Sequence, residues 1–290
     1  MDTACPPSPI EPGTLAERLG HPGAPLLLDV RRPPRFTESP RLLPGAVHVP
    51  PEGVAAFAAS HPPGPVLTYC VYGHGVGRDA AAVLRAAGWD ASFLAGGIEG
   101  GEDGVDAPAD IARWRAAPLP RLRKRPDLGV TGEQPSRWVT RARPKIDRIA
   151  CPWLIRRFID PRAQFFYVPE SQVLQAASEL GAVPFDVQGA PISHVWERCS
   201  FDALLQAFEL RSEPLARLAA IVRGADTQRL SLAPQAGGLL AISLGLSHLH
   251  AEDDQAMLAA GMPVYDALYA WCAHARGEVH GWRVHEATPA

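Results

Sequence analysis

The apolar positions of the first hundred residues come in short blocks separated by polar turns. Pro25-Leu-Leu-Leu-Asp-Val30 and Pro65-Val-Leu-Thr-Tyr-Cys70 have the length and apolar content of buried strands, and Val47-His-Val49 and Ala91-Ser-Phe-Leu94 are shorter versions. The run from Arg78 to Ala87 is built from strong helix formers, and Gly88 stands where a helix stops. Strands alternating with helices predict an α/β domain with a parallel sheet flanked by helices. Beyond residue 138 the pattern changes to helical spacing. Segments 152–158, 171–180, 201–209, 214–223, 238–246, 253–260 and 264–275 are predicted helices. In the last of them Val264, Leu268 and Trp271 share one face. Strand signals there are few, at 164–168 and 192–195. The second domain is therefore expected to be mostly α-helical.

Between the two patterns, prolines at 118, 120, 126 and 135 surround Arg121-Leu-Arg-Lys-Arg125. This stretch reads as a basic, Pro-rich linker at 116–137, a solvated and self-repelling tether. The resulting division is 1–115, 116–137 and 138–290, without an internal repeat. A chain of 290 residues is long enough for two cores, and 47% hydrophobic with 20% charged residues excludes disorder as the dominant state. A net charge of -3 argues against a uniformly basic nucleic-acid-binding protein. It averages over eleven Lys and Arg side chains between Arg113 and Arg148. Residues 1–10 lack the basic end and apolar run of a secretory signal, and the most apolar stretch, 237–246, is far short of the about 20 residues of a membrane helix. The five cysteines are odd in number and scattered, which points away from a disulfide framework and toward a reducing cytoplasm. Cys5 and Cys272 carry no assigned role.

Cys70 ends a predicted strand and opens the loop Cys70-Val-Tyr-Gly-His-Gly-Val-Gly77, which leads into a helix. Three glycines let this loop curl so that backbone N–H groups converge, and the helix directs its positive end to the same point. Both features stabilise negative charge there, which suits a thiolate nucleophile. The spacing alone leaves a buried structural cysteine as an equal reading.

Four motifs in order resemble the rhodanese (sulfurtransferase) domain over about residues 10–115. They are Leu28-Asp-Val-Arg31, Pro44-Gly-Ala-Val-His-Val-Pro50, the Cys70 loop and Leu94-Ala-Gly-Gly-Ile-Glu-Gly100. The resemblance implies that Cys70 carries sulfane sulfur as a persulfide, taken from thiosulfate or a persulfide and passed to a thiol or cyanide. No cofactor is required for this. It further implies that Val71, Tyr72, Gly73, His74, Gly75, Val76, Gly77 and Arg78 cradle the sulfur, with Asp29 and Arg31 as buried supports. Two positions depart from the family. Gly75 stands where many rhodaneses with this loop length place an arginine for anionic donors, leaving His74 and Arg78 as nearest candidates. Gly101 replaces a frequent tryptophan. Both departures weigh against thiosulfate as donor more than against persulfide chemistry.

In the second half, Arg141 to Asp160 is the densest polar patch. Lys145, Arg148, Arg156 and Arg157, with Cys151 just ahead of Pro152 at an expected helix start, form a candidate site for a tetrahedral oxyanion such as chromate or sulfate. Surface ion pairing with Asp147 and Asp160 is the alternative. His194, Glu197, Cys199 and Asp226 are of metal-ligand type and a candidate transition-metal site, although no standard zinc spacing is present. A capping or core His194, with Ser200 as helix N-cap, is the other reading. His248 and His250 alternate as on a strand or turn face. Several strings resemble the C-terminal domain of ChrB-type chromate-resistance proteins: Arg143 to Asp160, His194 with Cys199-Ser-Phe-Asp202, Ile221 to Asp226, Pro234-Gln235, Leu244 to Ser247, Tyr265 to Cys272 and His280-Gly-Trp282. That resemblance runs from about 138 to 283 and implies a link to chromate. The combined expectation is a sulfurtransferase coupled to chromate resistance through an oxyanion- or metal-binding second domain. The alternative is an oxyanion-responsive sensor or regulator with a non-catalytic rhodanese-like domain. A nucleic-acid partner is disfavoured by the slight acidity and the lack of a helix-turn-helix signature, and no membrane association is expected.

Overall fold

The computed structural model describes residues 6–117, 119–278 and 281. Cys5, His280 and Trp282 lie outside the described residues. The first half contains strands β1 (Pro9–Ile10), β2 (Leu26–Asp29), β3 (Arg41–Leu42), β4 (Val47–His48), β5 (Pro65–Tyr69) and β6 (Asp90–Leu94). All but β3 join one parallel sheet in the order β1-β6-β5-β2-β4. Helices α1 (Pro12–Arg18), α2 (Pro33–Glu38), α3 (Val54–Ser60), α4 (Gly75–Ala86) and α5 (Pro108–Ala116) accompany it. Side chains alternate across the strands, so neighbouring residues enter different cores. Leu28 and Val66 pack with Ala81, Leu84 and Trp89, whereas Leu27 and Leu67 pack with Leu15, Leu43 and Leu94. Helix α4 starts at Gly75, ahead of the run of strong helix formers from Arg78, because its first turn is taken from the glycine loop itself.

The second half adds β7 (Leu122–Arg123), β8 (Arg137–Arg141), β9 (Gln164–Val168) and β10 (Val183–Pro184). The last three form a parallel sheet in the order β10-β8-β9. The central strand β8 was hidden in the sequence by its flanking arginines, although Trp138 and Val139 are fully buried. Around it lie α6 (Ile146–Leu154), α7 (Val173–Leu180), α8 (Ser200–Ala207), α9 (Glu213–Asp226), α10 (Ala236–Leu249) and α11 (Asp254–Ala270). Helix α6 begins at Ile146 rather than at the expected 152, and it contains Pro152. The proline has no N–H for the carbonyl of Arg148 four residues earlier. The Tyr167 hydroxyl donates to that carbonyl instead, at 3.4 Å. Segments 253–260 and 264–275, expected as two helices around Pro263, are one: α11 continues into a wider turn over Trp271–Ala275. Segment 192–195 supplies isolated bridges rather than a strand. His248 lies within α10, not on a strand or turn. Among the described residues no helix is long and apolar enough to cross a membrane.

The tether expected at 116–137 is folded. Leu122, Leu128 and Val130 are buried in one core with Phe36 and Leu42 from the first half and Trp138 and Phe208 from the second. Strand β7 pairs antiparallel with β3. The basic side chains of this stretch have partners: Arg121 meets Glu99, Arg123 meets Glu209, Arg125 meets Asp127, and Lys124 donates to the Phe36 carbonyl. Apolar residues spaced between the charges fix the stretch, and pairing removes the self-repulsion. The halves also meet directly. The Gly45 N–H donates to the Phe158 carbonyl at 2.9 Å, and the Phe158 ring occupies the space a side chain at Gly20 would need, 2.1 Å from its Cβ position.

Candidate functional site

Cys70 leaves the end of β5 with 6% of its surface exposed. Its loop is packed backbone against backbone on the turn that follows β6. A Cβ on Gly73 would lie 2.6 Å from the Gly96 and Gly97 nitrogens, and one on Gly97 would lie 2.5 Å from the Gly73 nitrogen and the Val71 oxygen. Both glycines also have positive φ, at 78° and 59°. The Ile98 and Glu99 N–H groups donate to the carbonyls of Cys70 and Val71 at 3.0 and 2.9 Å. On the other side, the Cβ position of Gly77 is 3.4 Å from Cys70 Sγ, so the first turn of α4 lies directly against the sulfur. Thr68 Oγ1 donates to the Gly77 carbonyl at 2.7 Å and pins that turn. A twelve-residue helix thus begins beside the sulfur, and the positive end of such a helix favours an anion placed near it.

Support comes from the adjoining strand ends. Asp29, opposite Tyr69 in the sheet, accepts two-pronged hydrogen bonds from Arg31 and one from the Tyr69 hydroxyl at 2.8 Å. Asp29 and Arg31 are buried, and Arg31 reaches on to the Arg41 carbonyl at 2.9 Å. Burial and the adjacent Asp29 push the Tyr69 phenol up, so it stays neutral and donates. At the mouth, His74 is held by two carboxylates. Its Nε2 lies 3.0 Å from Asp106 and its Nδ1 3.6 Å from Glu102. The Glu102 N–H, with His74 behind it, holds Asp106 below the usual carboxylate range. Arg78 is exposed and pairs with Asp79.

A second constellation forms in the other half. His194 Nε2 lies 3.1 Å from Asp226, 3.3 Å from Asp186 and 3.5 Å from Asp147. Asp147 sits in the first turn of α6, Asp226 ends α9, and Asp186 follows β10. Asp147 and Asp186 are 1% and 5% exposed, and His194 is 41% exposed. The Ser200 and Phe201 N–H groups at the start of α8 donate to Asp147 at 2.6 and 3.3 Å, and the Ser200 hydroxyl donates to Asp186 at 2.9 Å. Arg148 and Arg141 approach Asp186 at 3.3 and 3.6 Å. Burial pushes the Asp147 carboxyl up to about 6, and Asp226 and Asp186 add to the rise. The three carboxylates gathered around its Nε2 push His194 up, against its partial burial. Although burial opposes it, His194, Ser200 and the two guanidiniums hold Asp186 low.

Residues 11–103 match the rhodanese-like domain family, and residues 138–272 match the family described as ChrB, C-terminal domain. The chain joins a rhodanese-like domain to a ChrB C-terminal domain. Protein ChrB of Cupriavidus metallidurans is 36% identical over 151 residues, covering 49% of this chain and 45% of that protein. The chain therefore spans less than half the length of that relative. A rhodanese homologue of Thermus thermophilus is 33% identical, with 25% of this chain and 78% of that one covered and a TM-score of 0.21. Thiosulfate sulfurtransferase from Pseudomonas aeruginosa is 26% identical, with 41% and 20% covered and a TM-score of 0.29.

In the rhodanese-like domain, residues 71–78 form one loop and helix start, of which Gly77 lies against the Cys70 sulfur, and His74 is spoken for by Asp106 and Glu102. In the ChrB C-terminal domain the expected sets are regrouped. Cys151 is not at a positive helix end. It lies inside α6, fully buried, and burial beside Asp147 pushes its thiol well up. Arg157 pairs with Asp266 at 2.8 Å, and Arg156 stacks over the Phe165 ring. Only Lys145 and Arg148 of the oxyanion set line the cleft that holds His194, together with Arg141. Of the metal set, Glu197 is exposed and pairs with Arg229. Cys199 is buried on Asp202 and, rather than Ser200, is the residue preceding α8, with its N–H donating back to Asp202. His194 and Asp226 stay together, and the residues that join them are Asp147 and Asp186. Asp147 was visible in the sequence only as an ion-pair partner. Asp186 lies in no motif, and its one local peculiarity, a left-handed φ of 53°, is a property of the fold.

Proposed function

We propose that the rhodanese-like domain transfers sulfane sulfur through a persulfide on Cys70, in the service of the chromate-resistance role implied by the second domain. The observation that carries this reading is the glycine-built cradle in which the first turn of α4 comes so close that a Cβ on Gly77 would lie 3.4 Å from Cys70 Sγ. The Cys70 thiolate attacks the outer sulfur of the donor, the donor's S–S bond breaks, and the donor leaves as its anion. A thiol or cyanide then removes the sulfur and restores Cys70. The helix end and loop amides stabilise charge on the terminal sulfur, and no cofactor is needed for the cycle. A small-molecule or protein persulfide suits this mouth better than thiosulfate. The ring nitrogens of His74 face two carboxylates, Arg78 faces Asp79, and Gly75 offers no cation. The free thiols of Cys70, Cys151, Cys199 and Cys272 fit a reducing cytoplasmic setting. The ChrB C-terminal domain supplies the link to chromate, through a cleft where Arg141, Lys145 and Arg148 flank the acidic cluster.

The test is intact mass after incubation with a low-molecular-weight persulfide. The wild type is expected to gain one sulfur that cyanide removes, and Cys70→Ala is expected to gain none. No gain on the wild type, or the same gain in Cys70→Ala, overturns the reading.

A further inference from the structure

We propose that the ChrB C-terminal domain binds one divalent first-row cation on His194, Asp147, Asp186 and Asp226. The donor atoms of Asp147, Asp186 and His194 all lie within 4.8 Å of one another, and Asp226 reaches the same imidazole nitrogen at 3.1 Å. Nε2 carries at most one proton, so it can hydrogen-bond one of the three carboxylates that converge on it. A cation replaces that proton, which leaves to solvent, and satisfies all of them together. The spacing agrees. Donors about 2.1 Å from a shared ion stand about 3.4 Å apart in a tetrahedral shell and about 3.0 Å apart in an octahedral one. The three nitrogen-to-oxygen separations run from 3.1 to 3.5 Å.

Two further observations point to a ligand. The donors are already oriented as metal ligands are, by partners behind them: backbone N–H groups of α8 on Asp147, the Ser200 hydroxyl and Arg148 on Asp186. They also open onto a cleft of about 350 Å³. Three carboxylates and one imidazole, without a thiolate, suit Mn²⁺, Fe²⁺ or Zn²⁺. Cys151, fully buried, donates its thiol hydrogen to Asp147 at 3.9 Å. The inference is independent of the chemistry at Cys70.

The experiment uses the full chain, stripped with a chelator and titrated separately with Mn²⁺ and Zn²⁺ by calorimetry, with elemental analysis after desalting. The expected result is one cation per chain and a higher thermal midpoint in its presence. His194→Gln and Asp226→Asn should each weaken binding by at least about tenfold while keeping the wild-type circular dichroism. Asp147 is left intact because it also holds the start of α8. Substoichiometric binding of both ions by the wild type overturns the proposal, a result that needs no variant. Wild-type affinity in both variants also overturns it, since any bound ion would then sit elsewhere.

Discussion

Around Cys70, the proposed site is made by eight consecutive residues and one facing turn. Around His194, the side chains come from the first turn of α6, the segment after β10, a loop before α8 and the end of α9. The first site is fixed by glycines and backbone contacts, so the proposed chemistry rests on one cysteine and the shape on the residues beside it. The second is fixed by side chains that also hold the fold, because Asp147 both faces His194 and accepts the leading N–H groups of α8. A local site should therefore lose function without losing the fold, except where its buried supports are struck. A distributed site should lose both together.

The largest expected effect comes from striking such a support. Asp29→Ala leaves the Arg31 guanidinium buried at 2% exposure without its partner. Breaking a buried pair in this way costs about 3–5 kcal/mol, measured as a lower urea midpoint. Removing both charges, with Asp29→Leu and Arg31→Met together, should recover much of that loss. If Asp29→Ala alone is nearly neutral, the Cys70 site does not depend on the strand ends beneath it, and the contrast with the second site narrows.

Gly97→Val comes next. It combines a φ of 59° with a Cβ 2.5 Å from backbone atoms of the Cys70 loop. Strain and overpacking together should cost about 2–4 kcal/mol. The rate of sulfur loading should fall at least about tenfold, because a displacement near 1 Å at the reacting atom has effects of that order. Cation binding by the second domain should be unchanged, and a loss of both would show that the two sites are mechanically coupled.

The same contrast explains what the sequence reveals. The parallel sheet, α4 and the Cys70 loop are legible because strand, turn and helix signals follow one another without interruption. The tether reading failed at Leu122, Leu128 and Val130, where charge density hid the apolar residues that anchor the stretch. The start of α6 was misplaced because Pro152 reads as a first-turn residue, and nothing local announces that Tyr167 satisfies the carbonyl it orphans. Asp186 was missed for a related reason. Its place beside His194 is set by strand pairing and by Ser200, which no spacing along the chain encodes.

A smaller effect distinguishes the two roles of Asp147. Asp147→Ala removes the acceptor of the Ser200 and Phe201 N–H groups and should destabilise by about 1–2 kcal/mol, as loss of a helix cap does. Asp147→Asn keeps one side-chain oxygen and should restore part of this stability in thermal unfolding, while cation binding stays weak. Full recovery of cation affinity in Asp147→Asn would mean that its charge is not used, and would leave the acidic residue a purely structural cap.

His74→Ala should have the smallest effect. The imidazole is 39% exposed and faces Asp106 and Glu102, an arrangement worth less than about 1 kcal/mol. Its removal should change the rate of sulfur loading from a persulfide by less than about twofold, because both ring nitrogens are taken up by carboxylates. Gly75→Arg is the matching gain. The Cβ position of Gly75 meets only the ends of the Asp79 and Arg78 side chains, at 3.5 and 3.9 Å. A guanidinium there would have room, and it would give a dianionic donor the bidentate partner that His74 does not supply. Loading from thiosulfate should therefore rise in Gly75→Arg and stay unchanged in His74→Ala. The opposite pattern, a fall in His74→Ala with no gain in Gly75→Arg, would put the histidine back at the mouth as the donor-binding group, with the two carboxylates setting its orientation.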